Sequence, residues 1–302
     1  LFGQCALKLQ QSPQTFDRES GMIHLAFYRF FHWPKERELG QWRDLLKSHG
    51  QRLGMCGTIL VSPEGINGFV AAQQPQANEF KEILAGIPGL EALEYKETFS
   101  KEVPFRRFFV KIKKEIISLG YEAADPRVRT GKRLEPEELS RWYQEGKPFV
   151  IVDTRNDYEV KLGTFERALD LDMKSFREFP EKLKAQNLGE VPVVMFCTGG
   201  IRCEKATAVA LDQGIQDVYQ LEGGILRYFE KMGGAHYKGD CFVFDRRVTL
   251  RPDLTQGDAA MCFACRTALR TVDLQSEKYV FEKSCPHCWD AKPSTFPSVE
   301  TG

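Results

Sequence analysis

The chain has the length and composition of an ordinary globular protein with two or three domains. Its 302 residues are 42% hydrophobic and 28% charged. No apolar run approaches the roughly 18 residues of a membrane span, so we expect no membrane association. Lys and Arg together number 42, as do Asp and Glu, so any affinity for nucleic acid must come from local patches.

The nine cysteines follow a pattern typical of a reducing compartment, which predicts a cytoplasmic protein. Four of them form two Cys-x-x-Cys pairs, and Cys197 lies in a loop with two glycines. Such spacing is typical of metal binding and catalysis. The sequence offers no partner for Cys5, Cys56 or Cys241, and we expect these to be buried apolar residues.

The first 120 residues predict a loose extension followed by a ferredoxin-like α+β domain. Residues 1–20 are polar and lack periodicity. Within residues 21–120, strands and helices are predicted in the order β-α-β-β-α-β, with a further strand at 105–113 and a turn at 62–65. That order is the split motif of ferredoxin-like folds.

A basic stretch, residues 101–133, holds ten Lys or Arg residues against four acidic ones, with phenylalanines interleaved. This pattern favours phosphate binding. A solvated strand face whose phenylalanines lie in the core is the alternative. Because strand side chains alternate, Arg106 is expected to point away from the others and to matter least. The predicted phosphate-binding residues are Arg106, Arg107, Lys111 and Lys113.

Residues 121–238 predict a doubly wound α/β domain with a parallel sheet. Apolar strands alternate with helices, the first of which begins at Pro136. Such folds place ligands at the carboxyl ends of the strands. Asp153 and Arg155 stand at one of these ends, where they either brace a neighbouring loop or form an ion pair. We favour a structural role for both.

The loop after the strand 191–196 has the composition of an anion cradle around a cysteine. Its glycines let successive N–H groups turn inward at a helix N-terminus, where negative charge is favoured. A thiol there loses its proton more easily, and the thiolate is the nucleophile. A core cysteine before an ordinary turn is the plainer alternative. The predicted nucleophile and cradle are Cys197, Thr198, Gly199, Gly200, Ile201 and Arg202.

This loop resembles the active-site loop of the rhodanese superfamily. Four residues separate Cys197 from Arg202. The related phosphatases carry five residues there, which gives a wider cradle suited to phosphate. The shorter loop suits a sulfur atom, so phosphatase activity is the weaker hypothesis. The segments 153–159 and 221–225 also match the rhodanese pattern around the loop.

Residues 239–290 predict a small metal-binding segment, and residues 291–302 a disordered tail. A strand-like run, 241–248, precedes two Cys-x-x-Cys pairs that are nineteen residues apart. Four thiolates form the donor set of a closed structural zinc site. The predicted zinc ligands are Cys262, Cys265, Cys285 and Cys288. His287, inside the second pair, is an alternative to Cys288.

Three features together resemble the rhodanese-domain tRNA uridine 34 hydroxylase family. They are the ferredoxin-like domain, the rhodanese loop, and the C-terminal segment with Phe-Val-Phe-Asp-Arg-Arg-Val and paired cysteines. The likeness covers about residues 22–290 and includes 64–68. It implies oxygen-dependent hydroxylation of the wobble uridine to 5-hydroxyuridine, with Cys197 catalytic and molecular oxygen as co-substrate. The partner would be the tRNA anticodon arm, whose phosphates the basic stretch would contact.

The residues alone leave other functions open. A thiolate in a cradle, with no flavin or nicotinamide motif visible in the sequence, favours sulfur transfer through a persulfide on Cys197. A non-catalytic rhodanese-like binding module is the third hypothesis. Cys203 either resolves an oxidised Cys197 or packs at the start of the helix, and we favour packing.

Overall fold

The computed structural model describes residues 21–290, except positions 101–104, 106, 189, 246, 263, 266, 270 and 282. The expectations for residues 1–20, residues 291–302, Cys5 and Arg106 therefore lie outside the described residues. Two five-stranded sheets dominate the described part. None of its helices has the length and apolar character needed to cross a membrane.

The first sheet has the predicted ferredoxin-like topology with one strand added. Its strand order is β4-β1-β3-β2-β5, in which the first four strands form the split motif and β5 pairs parallel with β2 at the edge. The elements are β1 (Met22–Phe30), α1 (Leu39–Arg52), β2 (Cys56–Ser62), β3 (Gly65–Ala72), α2 (Gln74–Ala85), β4 (Lys96–Ser100) and β5 (Phe108–Ile112).

The two faces of the first sheet have different surroundings because strand side chains alternate. In β1, Ile23, Leu25 and Phe27 lie in a core that includes residues of α1 and α2. Ala26 and Tyr28 point to the opposite face and line a cavity between the two domains. The first domain therefore supplies one wall of that cavity.

The second sheet is parallel throughout, with strand order β6-β11-β10-β7-β9. Helices α5 and α6 pack on one face, and α3 and α7 on the other, which confirms the doubly wound class. A 3-10 turn at Phe176–Glu178 precedes α5. The elements are β6 (Lys132–Leu134), α3 (Pro136–Gln144), β7 (Val150–Asp153), α4 (Asp157–Val160), β8 (Gly163–Phe165), β9 (Leu169–Asp170), α5 (Phe179–Lys184), β10 (Val193–Phe196), α6 (Ile201–Asp212), β11 (Val218–Leu221), α7 (Gly224–Met232) and β12 (Tyr237–Gly239).

The run 241–248, predicted as one strand, is instead a tight hairpin. Among the described residues of this run, strand is confined to β13 (Cys241–Phe242), which pairs antiparallel with β14 (Thr249–Leu250). The physical reason is Asp245, whose carboxylate accepts the backbone N–H of Arg247 at 2.8 Å and turns the chain back. The prediction of a continuous strand was wrong here.

The rest of the C-terminal segment has little regular structure. It contains β15 (Ala260–Met261), β16 (Ala268–Leu269) and α8 (Thr271–Leu274), and β15 and β16 pair with each other. Cys241 packs in the core that contains α3 and α7, so the start of the segment is joined to the second domain. The exact domain limits stay a prediction.

Candidate active site

Cys197 follows β10 in a loop whose N–H groups face its sulfur. The N–H of Gly200 donates to Sγ at 3.0 Å. Gly200 has a φ of 97°, which glycine adopts without strain, and α6 begins at the next residue. The N-terminal end of α6 therefore lies at the thiol, where its unpaired N–H groups favour negative charge.

The first turn of α7 holds two carbonyl groups of the cradle. The N–H groups of Ile225 and Leu226 donate to the carbonyl oxygens of Cys197 and Thr198, at 2.9 and 3.1 Å. Gly224 has a φ of 67°, and a Cβ there would lie 2.5 Å from the Cys197 carbonyl oxygen. This close approach explains why a glycine is required in the segment 221–225.

Arg202 is buried and held in place by Glu159. Its Nη1 and Nη2 donate to the two carboxylate oxygens at 2.6 and 2.8 Å, a two-pronged contact that fixes the guanidinium. Glu159 also accepts the backbone N–H of Asn156, so the first turn of α4 positions it. Sequence analysis noted Glu159 only as part of a pattern and missed this pairing with Arg202.

These contacts favour the thiolate form of Cys197. Burial raises the pKa of the thiol, but other groups outweigh burial and lower the pKa to about 5. They are a hydrogen bond with Cys203, the positive charge of Arg202, and the N–H groups of Arg202 and Gly200. Burial, and then the contact with Cys197, raise the pKa of Cys203, so Cys203 keeps its proton and donates it.

We expect the Cys197 thiolate to form as the pH rises through about 5 and to dominate at neutral pH. Because Cys197 is fully buried, the ultraviolet absorbance of the thiolate, taken against a Cys197→Ser variant, is a better measure than alkylation. Arg202→Ala should raise the pKa by removing the positive charge, and exposed Arg129→Ala should not. If the Cys197 pKa of the wild-type protein lay near that of a free cysteine, about 8.5, the result would contradict stabilisation of the thiolate by the cradle.

Two side chains of the first domain reach the cradle, and sequence analysis missed both. Lys96, at the start of β4, donates to the carbonyl oxygen of Gly199 at 2.5 Å, and its ammonium lies 5.3 Å from the ring centre of Tyr28. A Cβ on Gly200 would lie 2.9 Å from the Tyr28 hydroxyl. Burial lowers the pKa of Lys96, and the nearby Cys197 thiolate opposes that shift. No local pattern could have revealed contacts between residues so distant in the chain.

A cavity of about 540 Å³ lies between the two domains and is bordered by Cys197. Both domains and the C-terminal hairpin contribute to its wall, which is mainly apolar with a few polar groups. That composition is typical of a site for a small organic group. The lining includes Tyr28, Asn67, Lys96, Cys197, Phe244 and Arg247.

Asp153 and Arg155, predicted to support the loop, form a buried ion pair of 2.6 Å. Arg155 also donates to the carbonyl oxygen of Gly163 at 2.6 Å. Thr154, between them, donates to the carbonyl oxygen of Phe196 at 2.9 Å, directly before the nucleophile. Thr154 therefore contacts the end of β10 directly. That Asp153 and Arg155 support the cysteine loop stays a prediction.

Three of the four predicted phosphate-binding residues are described, and all three are exposed. Arg107 precedes β5, Lys111 lies in it, and Lys113 follows it and lines the cavity. The ammonium of Lys111 lies 4.9 Å from the ring centre of Phe109. Further along the basic stretch, carboxylates neutralise part of the charge, in the pairs Arg127–Asp125, Lys132–Asp217 and Arg133–Glu222.

Four cysteines of the C-terminal segment lie together and can hold a metal ion. Their Sγ atoms are all within 4.8 Å of one another, and three of the sulfur–sulfur distances are 3.6, 3.7 and 3.9 Å. Zinc with four bonds of about 2.3 Å places its sulfur ligands roughly 3.8 Å apart, so the donor set fits. His287 lies instead 3.5 Å from Asp273. The four cysteines are Cys262, Cys265, Cys285 and Cys288.

The comparison with protein families agrees with this division of the chain. Residues 22–116 match the UPF0176 acylphosphatase like domain, and residues 135–231 match the rhodanese-like domain. The fold and the site therefore define a rhodanese-like protein in which an acylphosphatase-like domain closes one side of the cysteine loop.

Two relatives match nearly the whole chain. The tRNA uridine(34) hydroxylase of Cupriavidus necator is 42% identical over 278 residues, which are 90% of this chain and 98% of the relative. The protein of the same name from Burkholderia vietnamiensis is 43% identical over 281 residues, covering 89% and 98%. A solved rhodanese-like domain from Anabaena covers 36% of this chain and 80% of its own, with 18% identity and a TM-score of 0.31. On the strength of the two relatives, the chain belongs to the tRNA uridine(34) hydroxylase family.

Proposed function

We propose that this protein hydroxylates C5 of uridine 34 in tRNA and uses Cys197 as the nucleophile. The observation that carries the proposal is the Cys197 thiol, whose pKa is lowered to about 5 beside a cavity between two domains. A thiolate is therefore ready at neutral pH. Membership of the family supplies the identity of the base and of the reaction.

In the proposed first step, the Cys197 thiolate adds to C6 of the uracil ring. A C6–S bond forms, and the electron pair of the C5=C6 bond moves towards C5 and O4 as an enolate. The ammonium of Lys96 lines the same cavity as Cys197, interacts with its negative charge, and would favour the enolate in this step. C5 becomes electron-rich and open to oxidation.

Molecular oxygen is the oxidant in this proposal, and a thiol is the reductant. Replacing C5–H by C5–OH removes two electrons from the base, whereas full reduction of oxygen takes four. Two thiol groups supply the other two electrons and two protons, become a disulfide, and let the second oxygen atom leave as water. Loss of the C5 proton then expels Cys197 and restores the C5=C6 bond.

The test is mass spectrometry of tRNA nucleosides. A strain lacking the gene should lose 5-hydroxyuridine and regain it when the wild-type protein is supplied. Purified protein with tRNA and a thiol should form the product under air and not under nitrogen. Product formed equally under nitrogen would exclude oxygen as the oxidant, and unchanged nucleosides in the deletion strain would refute the function.

Sulfur transfer is the second candidate, because the four-residue spacing between Cys197 and Arg202 suits a sulfur atom. It predicts a persulfide on Cys197 after incubation with thiosulfate, thiocyanate formation with cyanide, and no change in tRNA. A binding module, the third candidate, predicts that Cys197 can be replaced without consequence. The same set of experiments therefore separates the three hypotheses.

We further propose that the tRNA anticodon arm reaches the cavity along the end of β5. Lys113 lines the cavity and Lys111 is exposed two residues earlier on the same side of the chain. Exposed Arg107, directly before β5, belongs to the proposed surface, and Arg106, which lies outside the described residues, stays a prediction from the sequence. We also propose that the four C-terminal cysteines bind structural zinc and that the protein acts in the cytoplasm, where thiols stay reduced.

A Lys111→Ala, Lys113→Ala double variant should bind tRNA more weakly and with a flatter dependence on salt. Each lost phosphate contact removes roughly 0.7 to 0.9 from the slope of log affinity against log salt concentration. The thiolate pKa of Cys197 should not change, because the cradle is built separately. Lys161→Ala and Lys238→Ala, a matched pair of exposed lysines, should leave the slope unchanged. An unaltered slope in the first variant would place the tRNA on another surface.

A further inference from the structure

A rigid turn in the C-terminal hairpin holds one aromatic ring exposed at the cavity. Phe244 is 57% exposed, whereas its neighbours Val243 and Asp245 are buried. The N–H of Val243 donates to the carbonyl oxygen of Val248 at 2.9 Å, and Asp245 forms a buried ion pair with Arg247. The backbone that carries the ring is therefore fixed on both sides of it.

The same turn is attached to the first domain. Asp245 lies 3.2 Å from Nδ1 of His24 in β1, and Arg247 donates to the hydroxyl of Thr98 in β4 at 2.9 Å. These two strands also carry Tyr28 and Lys96, which reach the cysteine loop. The position of Phe244 is thus set by the strands that complete the active site.

The ring itself contacts Arg202 of the second domain and Phe242 of its own hairpin. Its centre lies 6.0 Å from the guanidinium carbon of Arg202, and it meets Phe242 edge-on with ring centres 5.0 Å apart. Among the described aromatic residues that line the cavity, Phe244 alone has more than half of its surface exposed, and the others are buried or half-buried. An ordered ring with this much free surface offers a face to a planar ligand.

We propose that Phe244 is the stacking platform for a nucleobase of single-stranded RNA at the entrance to the Cys197 cavity. The inference rests on the proposed function and adds how the base is held. A buried thiolate reaches C6 only if the base leaves its neighbours in the RNA, and this costs stacking energy. An aromatic side chain replaces the lost stacking, which is how proteins commonly hold unstacked RNA bases.

The alternative role for Phe244 is to cover the ion pair between Arg202 and Glu159. A ring with that role would change the electrostatics of the cradle when removed, so the pKa of Cys197 would shift. A stacking platform leaves that pKa unchanged and alters RNA binding. The thiolate absorbance titration therefore distinguishes the two roles.

The experiment measures binding of an anticodon stem-loop RNA that carries either uridine or an abasic nucleotide at position 34. Phe244→Ala should weaken binding of the uridine RNA by roughly 5- to 150-fold, the range for one stacked base, and Phe244→Trp should retain binding. With the abasic RNA, Phe244→Ala and wild type should bind alike, since there is no base to stack. Phe281→Ala, which removes an exposed ring of the same segment outside the cavity lining, is the matched control.

Equal weakening of both RNAs by Phe244→Ala, no weakening of either, or a shift in the Cys197 pKa would overturn the stacking proposal. These results are independent of the proposed function, because binding is measured without turnover. If wild-type protein binds the base as expected but tRNA from the deletion strain keeps its 5-hydroxyuridine, the stacking platform stands and the hydroxylase function fails.

Discussion

Replacing Cys197 by serine is expected to reduce formation of 5-hydroxyuridine by roughly a thousandfold or more, as is usual when a covalent nucleophile is removed. The serine hydroxyl occupies nearly the same space beside the Gly200 N–H. Its pKa is far above that of a thiol, so the cradle that lowers the thiol pKa to about 5 leaves serine protonated. A neutral hydroxyl does not add to C6 of uracil at a useful rate.

The control for this variant is Cys56→Ser in the first domain. Cys56 is also buried, and its Sγ donates to the carbonyl oxygen of Ala71 at 3.3 Å, a bond that serine can keep. We expect Cys56→Ser to retain activity and both variants to bind tRNA as the wild type does. Nucleoside mass spectrometry measures the product. Full activity of Cys197→Ser would contradict covalent catalysis by Cys197.

Loss of the metal site is expected to unfold the part of the C-terminal segment that surrounds the four cysteines, residues 260–290. The buried cluster around these cysteines consists, in the described residues, of Cys262, Leu269 and Cys285, and the two strands there, β15 and β16, have two residues each. So small a core does not offset the conformational entropy of the chain. Zinc binding to small thiolate domains contributes on the order of 10–16 kcal/mol, enough to order such a segment.

Freshly purified protein should therefore contain about one zinc ion per chain by metal analysis. Cys285→Ser should release it and make the segment sensitive to protease. His287→Gln should keep the metal, because the His287 ring lies at Asp273 and is 46% exposed. Wild-type protein without metal would refute the site. If His287→Gln lost the metal and Cys288→Ser kept it, the fourth ligand would be His287 and not Cys288.

Local sequence patterns were enough to predict the two folds. Alternating apolar residues in β1 and the Ser62–Gly65 turn define strands whose order matches the split motif, and Pro136 marks the start of α3. The cradle was predicted in the same way, since Cys197 and its two glycines lie within four consecutive residues. Even there, the need for Gly224 was visible only as a pattern, and the structure gives the contact behind it.

The distant groups that meet at Cys197 could be identified only in the folded molecule. Lys96 is 103 positions from Gly199, and the hydrogen bond between them depends on how the two domains pack. The exposed ring of Phe244 was hidden in a run predicted as a strand, because a side-chain contact of Asp245 turns the chain. Local patterns predict helices, strands and consecutive loops. Contacts between domains depend on shape and charge across surfaces that no short segment contains, so they required the folded molecule.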